Sequence, residues 1–159
     1  MDIFEFAKQM EKDGEDYYRE LAENAENHGL KHILTMLADD EIKHYNILSA
    51  MARKEKPEMT ETAVLKSAKN VFAGMKGKNI DPHTNQIVMY KKAQELEKKS
   101  QGFYEEKAGE VDDPHHKELF LKIAGEEKRH YFLLENLITF VSRPMSWLED
   151  AEFNHLEDY

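Results

Sequence analysis

Displaced by 86 residues, the chain lies on itself. Without a gap, Ala7 falls on Ala93, Glu11 on Glu97, Tyr18 on Tyr104 and Ala22 on Ala108. In the same frame Ala38 falls on Ala124, Glu41 on Glu127, His44 on His130, Tyr45 on Tyr131 and Leu48 on Leu134. A repeat of this kind narrows the fold sharply. Whatever unit the first half forms, the second forms again, and the two units must bury their apolar faces against each other.

The repeated unit is a helical hairpin. Over about 3–27, Phe6, Met10, Tyr17, Leu21 and Ala25 recur at helical spacing, with Ala7, Gly14, Tyr18 and Ala22 widening the stripe. Asn27-His28-Gly29 closes this helix, the glycine standing where a left-handed cap is wanted. A second helix over about 30–53 turns Ile33, Leu34, Leu37, Ala38, Glu41, Tyr45, Leu48 and Ala52 inward. The turn is short, so the pair packs antiparallel.

The second hairpin spans about 83–111, marked by Ile87, Tyr90, Ala93, Leu96, Glu97, Phe103, Tyr104 and Ala108, and about 115–141. It turns at Asp112-Asp113-Pro114 and stops at Pro144. Residues 54–82 form a long crossover containing a shorter amphipathic piece with Val64, Leu65, Ala68, Val71 and Phe72. The expected architecture is all-α: a four-helix bundle over 1–143, made of two antiparallel hairpins with internal two-fold symmetry, then a tail over 144–159 with a short helix near 147–153.

The polar positions of the repeat carry the chemistry. Glu41-Ile42-Lys43-His44 and Glu127-Lys128-Arg129-His130 are both Glu-x-x-His, which on a helix aims a carboxylate and an imidazole at one spot. Glu11 and Glu97 lie on the inward stripes, each thirty residues before its Glu-x-x-His glutamate, a separation that an antiparallel hairpin brings level. Unpaired buried carboxylates cost several kcal/mol each. Two divalent cations offset four such carboxylates, and neutral imidazoles complete the shells.

A lone Glu-x-x-His reads as a surface ion pair. A third copy, Glu152 to His155, has neither a repeat partner nor a preceding inward glutamate, and is set aside. Tyr18 and Tyr104 stand two turns after Glu11 and Glu97. They read either as core aromatics or as hydrogen-bond donors to a ligand carboxylate. Tyr45 and Tyr131 read as packing residues, and His28, His32, His83, His115 and His116 as surface histidines.

The net charge of −10 repels phosphate and argues against nucleic acid. With no cysteine, the 159 residues hold no disulfide, zinc–thiolate site, iron–sulfur cluster or thiol nucleophile. There is no run of about 18 apolar residues, and the first residues lack the pattern of a signal peptide, so no membrane partner and a cytoplasmic location are expected.

Glu11, Glu41-Ile42-Lys43-His44, Glu97 and Glu127-Lys128-Arg129-His130 together resemble the ligand set of the ferritin-like diiron-carboxylate superfamily, in its rubrerythrin branch, over about residues 3–142. The resemblance implies that Glu41 and Glu127 bridge two irons, with Glu11 and His44 completing one and Glu97 and His130 the other. The chain departs from the branch at two points. It lacks the four-cysteine rubredoxin module, which implies an external electron donor such as a rubredoxin-like protein. It also has Ser100 where many rubrerythrins have a further glutamate used in a redox-linked iron shift. The ligand set is shared with bacterioferritins, but Ile42 stands where those proteins have their haem-binding methionine, so no haem is expected.

The leading expectation is a cytoplasmic diiron oxidoreductase, a homodimer, reducing hydrogen peroxide or dioxygen. Two ferrous ions about 3.5–4 Å apart would each give one electron to the O–O bond. Manganese or zinc suits the same donors. The alternatives are a ferroxidase and iron-storage protein, and a helical interaction protein whose dimetal site is structural.

Overall fold

A computed structural model describes residues 2–75 and 84–142. Among them the chain forms five helices and no strand: α1 (Ile3–Asn24), α2 (His28–Ala52), α3 (Val64–Gly74), α4 (Thr84–Glu110) and α5 (Pro114–Ser142). The expected tail helix and the tail copy of Glu-x-x-His lie outside the described residues, as do His83 and the end of the crossover. The architecture is a ferritin-like helical bundle. Helices α1 and α2 pack closely as one hairpin and α4 and α5 as the other, while α3 lies in the crossover and packs on α2 and α5.

The caps explain where the helices begin. Asp2 accepts from the Glu5 amide at 2.9 Å and starts α1. Asp113 accepts from the amides of His115 and His116, and Pro114 fills the first helical position, where a missing N–H costs nothing.

The first turn differs from the sequence expectation. Helix α1 stops at Asn24, three residues early, and Asn27 is the N-cap of α2, its side chain accepting from the Leu30 amide at 3.0 Å. Gly29 is therefore the second residue of α2 and not a cap. A Cβ there would lie 2.6 Å from Val71 Cγ1, so the glycine lets α3 approach α2. Glycine's usual place at a helix C-terminus is taken instead by Lys54, at φ 63°, one residue past the α2 C-cap. The Lys54 amide donates to Met51 O and that of Glu55 to Ala50 O, closing α2 with the paired bonds of a Schellman motif.

The core falls into two hydrophobic clusters. One gathers Tyr18, Leu21, Ile33, Leu34, Leu37, Val64, Phe72, Tyr90, Leu134, Leu137 and Phe140. The other gathers Ala7, Leu48, Met51, Tyr104, Leu119, Phe120 and Ile123 at the opposite end. Between them lies a layer of buried Glu and His side chains. Phe6 and Leu96, expected inside, are 47% and 40% exposed. They line a pocket between α1 and α4.

Candidate metal centre

Each hairpin contributes three residues to the layer. Helices α1 and α2 bring Glu11, Glu41 and His44, and α4 and α5 bring Glu97, Glu127 and His130. None is more than 4% exposed. Their ligand atoms form two four-residue groups, Glu11–Glu41–His44–Glu127 and Glu41–Glu97–Glu127–His130, with all the atoms of a group within 4.8 Å of one another. Glu41 and Glu127 belong to both. All six side chains singled out in the sequence are thus brought together. Glu41 reaches the centre because Gly14 on α1 leaves it room: a Cβ at Gly14 would lie 3.2 Å from Glu41 Oε2.

The supporting hydrogen bonds cross from one hairpin to the other. Tyr18 on α1 donates to Glu97 on α4 at 2.7 Å, and Tyr104 on α4 donates to Glu11 on α1 at 2.6 Å. The tyrosines therefore hold carboxylates of the layer while also packing in the two clusters.

Two residues of the site escaped sequence reasoning. His44 Nε2 donates to Glu126 Oε1 at 2.8 Å, and His130 Nε2 donates to Asp40 Oδ2 at 2.8 Å. With Nε2 so committed, Nδ1 of each ring faces the cluster. His44 Nδ1 lies 3.1 Å from Glu127 and 3.3 Å from Glu11, and His130 Nδ1 lies 3.3 Å from Glu41 and 3.4 Å from Glu97. The signal for both residues was present: Asp40 and Glu126 are equivalent in the repeat and both acidic. They looked like solvated helix charges because each belongs to the histidine of the opposite hairpin.

The crossover buttresses this outer layer. Lys43 Nζ donates to both oxygens of Glu126, at 2.8 and 2.9 Å, and to the Thr60 carbonyl at 2.8 Å. The Thr62 amide donates to Glu126 at 3.0 Å and its hydroxyl donates to Asp40.

The electrostatics are those of a crowded buried anion cluster. Burial, and then the charges of Glu11, Glu127 and Glu97, push the Glu41 carboxyl well above its usual range. Burial, Glu11 and Glu97 do the same to Glu127. Burial also pushes Glu11 up, but His44, Glu41 and Tyr104 outweigh it and hold that carboxyl below the usual value. Burial opposes protonation of both imidazoles, yet Glu11 beside His44, and Glu97 with Asp40 beside His130, raise both well above the ordinary histidine value. For Asp40 and Glu126 burial is overcome by the histidine each one faces, and both are lowered.

Four buried atoms in this layer have no hydrogen-bond partner among the described residues: Glu41 Oε1, Glu97 Oε2, Glu127 Oε1 and His130 Nδ1. Three carboxyl oxygens and an imidazole nitrogen without a hydrogen bond in one place fit the hard and intermediate donors that divalent first-row cations take. The residues present fit a metal site.

The other polar expectations divide. His28 and His32 are exposed, as expected, whereas His115 and His116 are half-buried. His115 Nε2 donates to the Pro57 carbonyl at 3.0 Å, and His116 packs edge-on to Phe4. His115 thereby ties α5 to the crossover, and His116 ties α5 to α1. Tyr45 is half-buried, with Lys8 Nζ 5.4 Å from its ring centre.

A ferritin-like bundle enclosing a carboxylate–histidine cluster defines a class of metal-binding helical proteins. The family model described as Rubrerythrin matches residues 2–138, and the chain belongs to that family, whose members carry a diiron centre. No curated protein and no solved structure gives a significant match. Among the described residues no helix is long and apolar enough to cross a membrane.

Proposed function

We propose that the chain is a non-haem diiron oxidoreductase that reduces hydrogen peroxide. Its electrons come from a donor outside these 159 residues, of the rubredoxin-like kind. The observation that carries this reading is the sharing of Glu41 and Glu127 between two buried four-residue groups, which is the donor arrangement two adjacent cations require. Glu11 and His44 would complete one metal, and Glu97 and His130 the other. Iron bound there supplies one electron per ion toward cleavage of an O–O bond.

The chain's own residues do the rest. Four carboxylates balance two divalent charges, so the pair sits in the bundle without a large uncompensated field. Asp40 and Glu126 hold the Nε2 protons of His130 and His44 and so keep both Nδ1 lone pairs inward. Tyr18 and Tyr104 fix Glu97 and Glu11, the one unshared carboxylate of each group. The hydrophobic clusters above and below close the layer at the two ends of the bundle.

Metal analysis of natively purified protein, followed by anaerobic loading with ferrous iron and rapid mixing with hydrogen peroxide, tests this reading. Two irons per chain, oxidised together by one equivalent of peroxide, are expected. No reaction with peroxide overturns it.

A further inference from the structure

Between α1 and α4 a pocket of about 320 Å³ descends to the layer, with Glu41, Glu97 and Glu127 at its floor. Its walls are mostly apolar, from Met10 and Leu96, Tyr17 and Phe103, with the charged Asp13 and Lys99 also on the lining; Phe6 at the mouth has its ring centre 5.1 Å from that of Phe103, the two rings tilted. The walls obey the 86-residue repeat. Met10 is equivalent to Leu96, Gly14 to Ser100 and Tyr17 to Phe103. Both helices thus supply, at the same three positions, an apolar side chain, a small residue and an aromatic ring. The pocket is built by the symmetry that builds the metal layer, and it lies over the carboxylates common to both groups.

Hydrogen peroxide alone does not account for such a space. A water-sized molecule takes about 30 Å³ of liquid, and apolar walls hold polar solvent poorly, whereas an apolar cavity of about 150 Å³ already admits benzene. The pocket falls within the size range of small-molecule sites, roughly 300–1,000 Å³, and has their usual make-up of apolar walls with a few polar groups at one end.

We infer that this pocket binds the hydrocarbon part of a small apolar organic hydroperoxide, with the O–O group directed at Glu41, Glu97 and Glu127. This rests on the peroxide-reducing reading above and names a substrate class for it. The reaction balances as ROOH + 2 e⁻ + 2 H⁺ → ROH + H₂O. The O–O bond breaks, the electrons come from the external one-electron donor, and the hydrocarbon stays in the pocket as the alcohol until release. Ser100 and Gly14 set the width of the pocket, and Phe6 and Phe103 close its outer end.

The test uses the full chain and cumene hydroperoxide, with 2-phenyl-2-propanol, its alcohol product, as a non-reacting probe. Calorimetric titration should show the alcohol binding at millimolar concentration or below. Ser100→Phe, which fills the pocket, should weaken that binding by at least about tenfold, and Phe6→Ser, at a half-exposed position that tolerates exchange, by about threefold. In rapid mixing with the ferrous protein, Ser100→Phe should lower the ratio of the cumene hydroperoxide rate to the hydrogen peroxide rate by at least about tenfold. Circular dichroism establishes that both variants fold.

Oxidation by hydrogen peroxide without alcohol binding, alcohol binding that neither variant weakens, or an unchanged rate ratio each overturns the inference and leaves the peroxide reading standing. Failure of both peroxides to oxidise the ferrous protein overturns that reading, and the hydroperoxide assignment with it, whatever the alcohol does.

Discussion

His130 on α5 is held by Asp40 on α2, ninety residues earlier in the chain, through a 2.8 Å bond from Nε2. The carboxylate four residues before a histidine on its own helix is the obvious partner, yet both Asp40 and Glu126 pass over His44 and His130 of their own helices and serve the other hairpin. Removing the negative charge while keeping the shape should loosen the ring and lower its basicity. Asp40→Asn and Glu126→Gln are each expected to weaken metal binding about 10- to 100-fold. Competition against a chelator of known affinity measures this, and an unchanged affinity would show that the contact does not tune the site.

Protons and metal compete for this layer, and the directions of the shifts fix the sign. His44 and His130 are raised in the fold, so their stabilisation is complete below the ordinary histidine value of about 6.5 and is lost as pH rises through the raised values. Glu41 and Glu127 are also raised, so the metal-free fold keeps protons that the unfolded chain has released, and stability again falls with rising pH. Glu11, Asp40 and Glu126 are lowered. Their contribution is present above about pH 4.5 and is lost in acid. Metal-free protein should therefore melt higher near pH 6 than near pH 8.5, and metal-loaded protein should not show that fall. Metal uptake at neutral pH should release roughly two to four protons per chain, since both imidazoles must give up the proton on the metal-facing nitrogen and the raised Glu41 and Glu127 carboxyls must give up theirs. Differential scanning calorimetry and an indicator-dye titration measure the two effects.

Lys54 occupies the left-handed region at the end of α2, where a side chain other than that of glycine or asparagine is strained. Lys54→Gly should stabilise the fold by about 0.5–1 kcal/mol, read from urea denaturation of the metal-free protein.

Glycine to alanine should have opposite signs at two helical positions. At Gly102, exposed on α4, an added Cβ meets nothing within 4 Å, and the gain is the helix propensity alone, about 1 kcal/mol. At Gly29 the same methyl strikes the stiff β-branched Val71 at 2.6 Å and also meets Met75 Sδ at 3.2 Å. Gly29→Ala should destabilise by about 1–2 kcal/mol and displace α3. Paired thermal melts decide it, and equal shifts would show that the approach of α3 to α2 does not matter.

The layer was legible in the sequence because a repeat of inward glutamates has few structural explanations, and Glu11, Glu41, His44, Glu97, Glu127 and His130 all lie where the spacing put them. Periodicity could not reveal Asp40 and Glu126, whose partners lie across the bundle, nor Lys43 and Thr62, which act through the crossover. The first turn was misplaced for a local reason. Asn27 and Gly29 are both good helix-terminating residues, and only the packing of Val71 shows that the glycine is there for close approach. Phe6 and Leu96 fit the apolar stripe, but the stripe does not say that α1 and α4 leave a pocket between them there.

The division of the core into two clusters with an ionisable layer between them also bears on how such a site can be lost over generations. A single substitution at Glu97 or His130 does not return the layer to an oily interior. It strands the carboxylates that remain and leaves Tyr18 or Asp40 without the group it holds, so each first step away is costly. The middle of this bundle is thereby coupled as a unit: loss of one member raises the cost that the others carry, and a packed interior returns only when the buried carboxylates and the groups that hold them change together.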